Sequence, residues 1–86
     1  MALQILNQPD DILGKVKSAI EAAIEGADVH VSSMSPGHFE IRVISTAFKG
    51  LNRVKQQQLV YGAITSLMSG DAAPVHAVDR LETLTP

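Results

Sequence analysis

The stretch "DVHVSSMSPGHFEIRV", residues 28–43, carries the pattern that decides the predicted fold. Apolar and polar residues alternate on both sides of the turn-forming segment "SSMSPG" (32–37): Val29 and Val31 come before it, and Phe39, Ile41 and Val43 come after it. Alternation of this kind indicates half-buried strands. The short connection predicts an antiparallel hairpin. Such a hairpin has one apolar face, which needs helices to cover it.

Two amphipathic helices flank the hairpin in the sequence. The first is predicted to begin at Asp10 and Asp11, whose carboxylates can cap free N–H groups, and to end near Gly26. Its apolar stripe comprises Ile12, Val16, Ala19, Ile20, Ala23 and Ile24. The second lies in "RVKQQQLVYGAITSLMSG" (53–70), where Val60, Ala63, Ile64, Leu67 and Met68 share one helical face.

The last segment, "VHAVDRLETLTP" (75–86), is short and rich in β-branched residues, which predicts a third strand that begins at His76. Between the hairpin and the second helix, "FKGLN" (48–52) suits a turn or a single helical turn. The predicted fold is therefore α+β, with helices on one face of a small three-stranded sheet and the order α-β-β-α(α)-β. We expect one domain over residues 1–86, in which residues 1–9 form a flexible N-terminal segment.

Composition excludes several classes of protein. With no cysteine, the chain has neither disulfides nor a thiolate to offer a metal, and its net charge of -2 argues against non-specific coating of nucleic acid. No apolar run approaches the roughly 18 residues of a membrane span, so we expect a soluble, cytoplasmic protein. The chain also lacks a nucleophile elbow, a glycine-rich phosphate loop and a recognisable pair of acids, so we do not expect an enzyme.

The three histidines, His30, His38 and His76, are the remaining groups suited to metal chemistry. Alternation places His30 on the face opposite the valines, which is typical of a solvated strand residue. Each histidine alone fits a surface or structural role, since two isolated imidazoles make no recognised zinc spacing. If the second and third strands point the same way, however, His38 and His76 lie at one end of the sheet and could share a metal.

Lys49, Arg53 and Lys55 cluster where the second helix is predicted to begin. Cations at a helix N-terminus oppose the helix dipole, so this arrangement costs a few tenths of a kcal/mol. One interpretation is contact with an anionic partner, such as nucleic-acid phosphate or an acidic protein face. The other is an ordinary solvated face.

The segment "FKGLNRVKQQQLVYGAI" (48–64), with "HFEIRVIS" (38–45) before it and "VHAV" (75–78) after it, resembles the BolA family. The shared features are Phe-x-Gly, a basic helix start, an apolar helix and a histidine that opens the last strand. The form "RVKQQQLVYG" is especially similar to the short bacterial acid-stress branch. The resemblance covers about residues 10–86 and implies a class II KH-like fold.

The resemblance implies a binding role. BolA-like proteins pair with monothiol glutaredoxins, and the two share a two-iron two-sulfur cluster with bound glutathione. On that pattern His76 matches the family's near-universal histidine, and His38 matches a ligand that some members place between the first two strands. A cysteine-free chain fits such sharing, because imidazoles can replace two thiolates on one iron. Gln56 and Gln57 depart from the Arg-His of many relatives.

Two other interpretations stay open. KH-like domains bind single strands through a Gly-x-x-Gly loop, and some BolA-like proteins act as transcription regulators, so Lys49, Arg53 and Lys55 could contact phosphates. The corresponding loop here, residues 49–52, has a single glycine. The chain could also form a homodimer through an exposed sheet edge. The sequence does not decide whether His30 can replace His38.

Overall fold

The computed structural model describes residues 10–70 and 73–86, and the predicted order of elements is confirmed there. The elements are helix α1 (Asp10–Ala23), strand β1 (Asp28–Ser35), strand β2 (His38–Ile44), a 3-10 helix (Thr46–Phe48), helix α2 (Arg53–Met68) and strand β3 (Ala77–Leu84). The expectation of a flexible segment over residues 1–9 concerns residues outside those described. In the described ranges no helix is long and apolar enough to cross a membrane.

The three strands form one mixed sheet in the order β1-β2-β3. β1 pairs with β2 in antiparallel fashion, as the hairpin prediction requires. β2 pairs with β3 in parallel, because the chain crosses over through α2 before it returns to the sheet. The α+β class is therefore confirmed, and the condition that the second and third strands point the same way is met. The KH-like assignment stays a prediction.

Both helices pack on one face of the sheet, which we call the inner face. The stripes predicted for the helices meet the inward residues of β1 and β2 in a continuous aliphatic core. The core residues with the least exposure from each layer are Val16 and Ile20 of α1, Val60 and Ile64 of α2, and Val29, Phe39, Ile41 and Val43 of the sheet. Phe48 is also fully buried, so the 3-10 helix closes one end of this core.

The prediction of a six-residue turn at residues 32–37 is wrong. β1 continues to Ser35, and the loop is only Pro36 and Gly37. The strand persists through the serines because a register shift between Ser33 and Ser35 leaves Met34 as an extra residue, a β-bulge. Gly37 has φ +78, and proline followed by a glycine of positive φ is the pattern of a type II turn.

The connections on either side of α2 refine two of the sequence predictions. The turn expected in residues 48–52 is present at Lys49 and Gly50, and a 3-10 helix lies just before it, at Thr46–Phe48, where the side chain of Ser45 accepts the N–H of Ala47 at 3.0 Å. β3 begins at Ala77, so His76 precedes the strand and does not open it. The N–H of His76 instead donates to the carbonyl of Gly37 at 2.8 Å, which fixes it to the hairpin loop.

Candidate metal-binding site and basic surface

His38 and His76, the histidine pair, lie at the same end of the sheet. His38 is the first residue of β2 and is opposite Ala77, the first residue of β3. The carbonyl of Gly37 accepts two hydrogen bonds, from the N–H of His76 at 2.8 Å and from that of Ala77 at 3.0 Å. These bonds tie the residue before His38 to His76 and to the first residue of β3.

The ring of His76 is exposed and lies against Gly37. A Cβ atom added at Gly37 would stand 2.6 Å from Nδ1 and 2.7 Å from Cγ of that ring, closer than real Cβ contacts allow. Any other residue at position 37 would therefore force the imidazole to move. Because Gly37 has no side chain, the ring of His76 can lie against it, immediately before His38 in the chain.

The imidazole of His38 projects from the outer face of the sheet, with 43% of its side chain exposed. Its Nδ1 lies 3.1 Å from Oδ1 of Asp79 in β3. Asp79 reaches it because the register shifts at this point: Phe39 is opposite Val78 and Glu40 is opposite Arg80, so Asp79 is an extra residue in a second bulge. The alternation of residues in the sequence gave no sign of this contact.

His30 is an exposed strand residue, as predicted, and it lies apart from the histidine pair. It is opposite Arg42, four residues along β2 from His38, which corresponds to about 13 Å. Its Nε2 pairs with Oδ1 of Asp28 at 3.2 Å, and both side chains are more than half exposed. His30 therefore cannot replace His38 without a rearrangement of the sheet.

The histidine pair offers two imidazole donors, fewer than a complete metal coordination sphere requires. Within residues 10–70 and 73–86, no group of three or more His, Cys, Asp or Glu side chains is placed to hold a metal ion. The whole chain also lacks cysteine. Two neutral imidazoles at one end of a sheet can bind one iron, but the remaining ligands would have to come from another molecule.

Lys49, Arg53 and Lys55, the basic surface, lie at the opposite end of the sheet. All are exposed, and the first turn of α2 contains no acidic residue. This end is marked by Ser45, whose N–H donates to the carbonyl of Leu84, the last residue of β3, at 3.0 Å. The length of β2 separates it from the histidine pair by about 20 Å. The other exposed arginines, Arg42 and Arg80, form ion pairs with Glu82 at 3.0 and 3.7 Å.

Gln56 holds the basic surface in place, a role that sequence reasoning missed. Its side-chain amide donates to the carbonyls of Phe48 and Leu51 at 3.2 and 2.9 Å, and its Oε1 accepts the hydroxyl hydrogen of Thr83 at 2.7 Å. The start of α2 is also capped by Asn52, which accepts the N–H of Lys55 at 2.9 Å. Gln56 thus ties the loop, the helix and β3 together.

Comparison with known proteins gives concordant results. The model of the family described as BolA-like protein matches residues 15–86. Acid stress protein IbaG of Escherichia coli (strain K12) is 32% identical over 72 residues, which cover 84% of this chain and 81% of that protein. A bolA protein homologue from Coxiella burnetii superimposes with a TM-score of 0.68 at 32% identity, covering 83% of this chain and 86% of that one. BolA1 from Arabidopsis thaliana shares the fold with a TM-score of 0.72 at 22% identity, with coverages of 85% and 89%.

Proposed function

Because the chain belongs to the BolA-like protein family, we propose that it is a cytoplasmic adaptor that shares a two-iron two-sulfur cluster with a monothiol glutaredoxin. His76 and His38 would be its ligands to the cluster. The observation that carries this proposal is the position of both histidines at one end of two neighbouring parallel strands, joined through the carbonyl of Gly37. The role is one of binding and not of catalysis.

The ligand chemistry explains why a partner is needed. This chain supplies imidazole nitrogens and no sulfur, whereas two-iron two-sulfur clusters take four ligands. The glutaredoxin and its bound glutathione would contribute the thiolates. Histidine on one iron raises the reduction potential relative to ligation by cysteine alone, so the shared cluster would differ in potential from a cluster bound by the glutaredoxin alone.

The experiment is reconstitution of the complex. The chain is mixed with a monothiol glutaredoxin, glutathione, iron and sulfide, and visible absorption and circular dichroism of the cluster are recorded. We expect a spectrum distinct from that of the glutaredoxin alone, which changes in His38→Ala and His76→Ala. His30→Ala is the matched control, because His30 is exposed and about 13 Å from His38 along the strand. A spectrum unaffected by the double change of His38 and His76 would refute the proposal.

Nucleic-acid binding is a second candidate, favoured by the basic surface. Lys49, Arg53 and Lys55 are exposed, and in the described part of the chain no carboxylate lies within ion-pairing distance of them. If they contact phosphates, affinity for DNA should fall steeply with salt, and the slope should decrease when the three are changed to alanine. Lys17→Ala, on exposed α1 surface, is the control. Binding that is absent, or insensitive to salt, would exclude this candidate.

The two candidates can be tested independently because their residues lie at opposite ends of the sheet. Alanine at the three positions of the basic surface should leave the cluster spectrum unchanged. Alanine at the histidine pair should leave the salt dependence of DNA binding unchanged. The two sets of variants therefore serve as controls for each other.

A further inference from the structure

Both strands next to His38 are irregular at its level, which a solvated histidine does not require. Each strand next to it carries one extra residue at this level: Met34 in β1, between Ser33 and Ser35, and Asp79 in β3. β-Bulges redirect side chains and occur often beside functional sites. The bulge in β3 brings the carboxylate of Asp79 to 3.1 Å from Nδ1 of His38.

This contact selects one tautomer of His38. An ionised carboxylate can only accept hydrogen bonds, so Nδ1 must carry the hydrogen, and in the neutral ring Nε2 then keeps its lone pair. Histidines that bind metals commonly donate the hydrogen of the other nitrogen to a carboxylate, which fixes both the tautomer and the orientation of the ring. His38 and Asp79 show this carboxylate–histidine arrangement.

We propose that Asp79 is a positioning residue that makes Nε2 of His38 the atom donated to the shared cluster. The inference rests on the proposed function for the identity of the metal group. The selection of the nitrogen itself is a property of the isolated chain. The side chain of Asp79 is 44% exposed, so its substitution should leave the fold intact.

His30 provides an internal comparison. Its contact with Asp28 uses Nε2, the opposite nitrogen, at 3.2 Å. In the free chain the two histidines should therefore differ in tautomer. Asp28→Asn is the matched control variant, because it removes a carboxylate from an exposed histidine on the same face of the sheet while leaving His38 and Asp79 unchanged.

The first measurement is two-bond proton–nitrogen correlation NMR on the free chain with labelled histidine, at mildly alkaline pH where imidazole is neutral. His38 should carry its hydrogen on Nδ1. In Asp79→Ala, which removes the carboxylate acceptor from Nδ1, the fraction of His38 that carries its hydrogen on Nδ1 should fall. Asp28→Asn should leave His38 unchanged. A wild-type His38 with its hydrogen on Nε2, or a tautomer unaffected by Asp79→Ala, would overturn the inference.

The second measurement is the stability of the cluster in the complex with a glutaredoxin. Loss of a carboxylate partner typically weakens metal binding by about 10–100-fold, so Asp79→Asn should speed loss of the cluster to an iron chelator by about that factor. Asp79→Glu should restore part of the loss, and Asp28→Asn should match the wild type. A cluster in Asp79→Asn as stable as in the wild type, while His38→Ala changes it, would refute the role of Asp79. If the wild type forms no histidine-dependent cluster, the proposed function fails, and the NMR result still decides whether Asp79 selects the nitrogen.

Discussion

The contact between Gly37 and the ring of His76 allows a quantitative test of how the chain places the histidine pair. Gly37 has φ +78, a left-handed conformation that costs other residues about 1–2 kcal/mol. In Gly37→Ala the new Cβ would stand 2.6 Å from Nδ1 of His76, so the exposed ring must leave its rotamer, at a further cost of about 0.5–1.5 kcal/mol. We expect the free energy of unfolding to fall by about 1.5–3.5 kcal/mol.

Gly50→Ala is the matched control. Gly50 has φ +79, and a Cβ there would meet nothing within 4 Å. This variant should therefore lose only the conformational cost of about 1–2 kcal/mol. In a double-mutant cycle with His76→Ala, which removes the ring but keeps a Cβ 3.2 Å from the added atom, the cost of Gly37→Ala should fall toward that of Gly50→Ala, with a coupling of about 0.5–1.5 kcal/mol between Gly37 and His76.

The measurement is urea unfolding followed by far-ultraviolet circular dichroism, because the chain has no tryptophan. Gly37→Ala should also alter the cluster spectrum as His76→Ala does, whereas Gly50→Ala should not. Equal losses of stability in the two glycine variants, with no coupling to His76, would show that Gly37 serves the turn alone and does not place the ring.

Three further predictions concern stability. Gln56→Ala should lower the free energy of unfolding by about 1–3 kcal/mol, because it removes the hydrogen bonds to two carbonyls and to Thr83. Gln57→Ala, the control, should change it by less than about 0.5 kcal/mol. Similar values for both variants would exclude a bridging role for Gln56. Phe48→Ala should cost about 3–5 kcal/mol because the ring is fully buried, and a loss below about 1 kcal/mol in thermal or urea unfolding would contradict its place in the core. Arg53→Glu should raise the free energy of unfolding by about 0.3–1 kcal/mol, since an acid at the first residue of α2 complements the helix dipole; a loss of stability would indicate an unrecognised contact of Arg53.

Much of the fold could be predicted because it follows from short-range patterns. Alternation identified β1 and β2, and helical spacing identified the buried positions Val60 and Ile64. The end of β1 could not be located in this way, because serine, proline and glycine suggest a turn. Pairing with β2 instead extends the strand, and a bulge at Met34 absorbs the mismatch in register.

The candidate site was less predictable because it depends on contacts between distant parts of the chain. The sequence suggested His38 and His76, and the parallel pairing of β2 and β3 brings them to one end of the sheet. Asp79 had no local signal, because its contact with His38 spans 41 positions and needs an irregular register. The distance between the basic surface and the histidine pair could not be predicted either, because it depends on how the strands pair.

Asp79, the extra residue in β3, contacts His38 but is not needed for the pairing of β3 with β2. On either side of Asp79 the strand keeps one alternation: Val78 is opposite Phe39, and Arg80 is opposite Glu40. Deletion of Asp79 would therefore join two segments that are already in phase with β2, and no other side chain would change faces. The same deletion would remove the carboxylate from His38. A chain without this residue would be shorter and more regular. It could keep the complete architecture while losing the carboxylate that orients the imidazole of His38, so the length of β3 affects function independently of the fold.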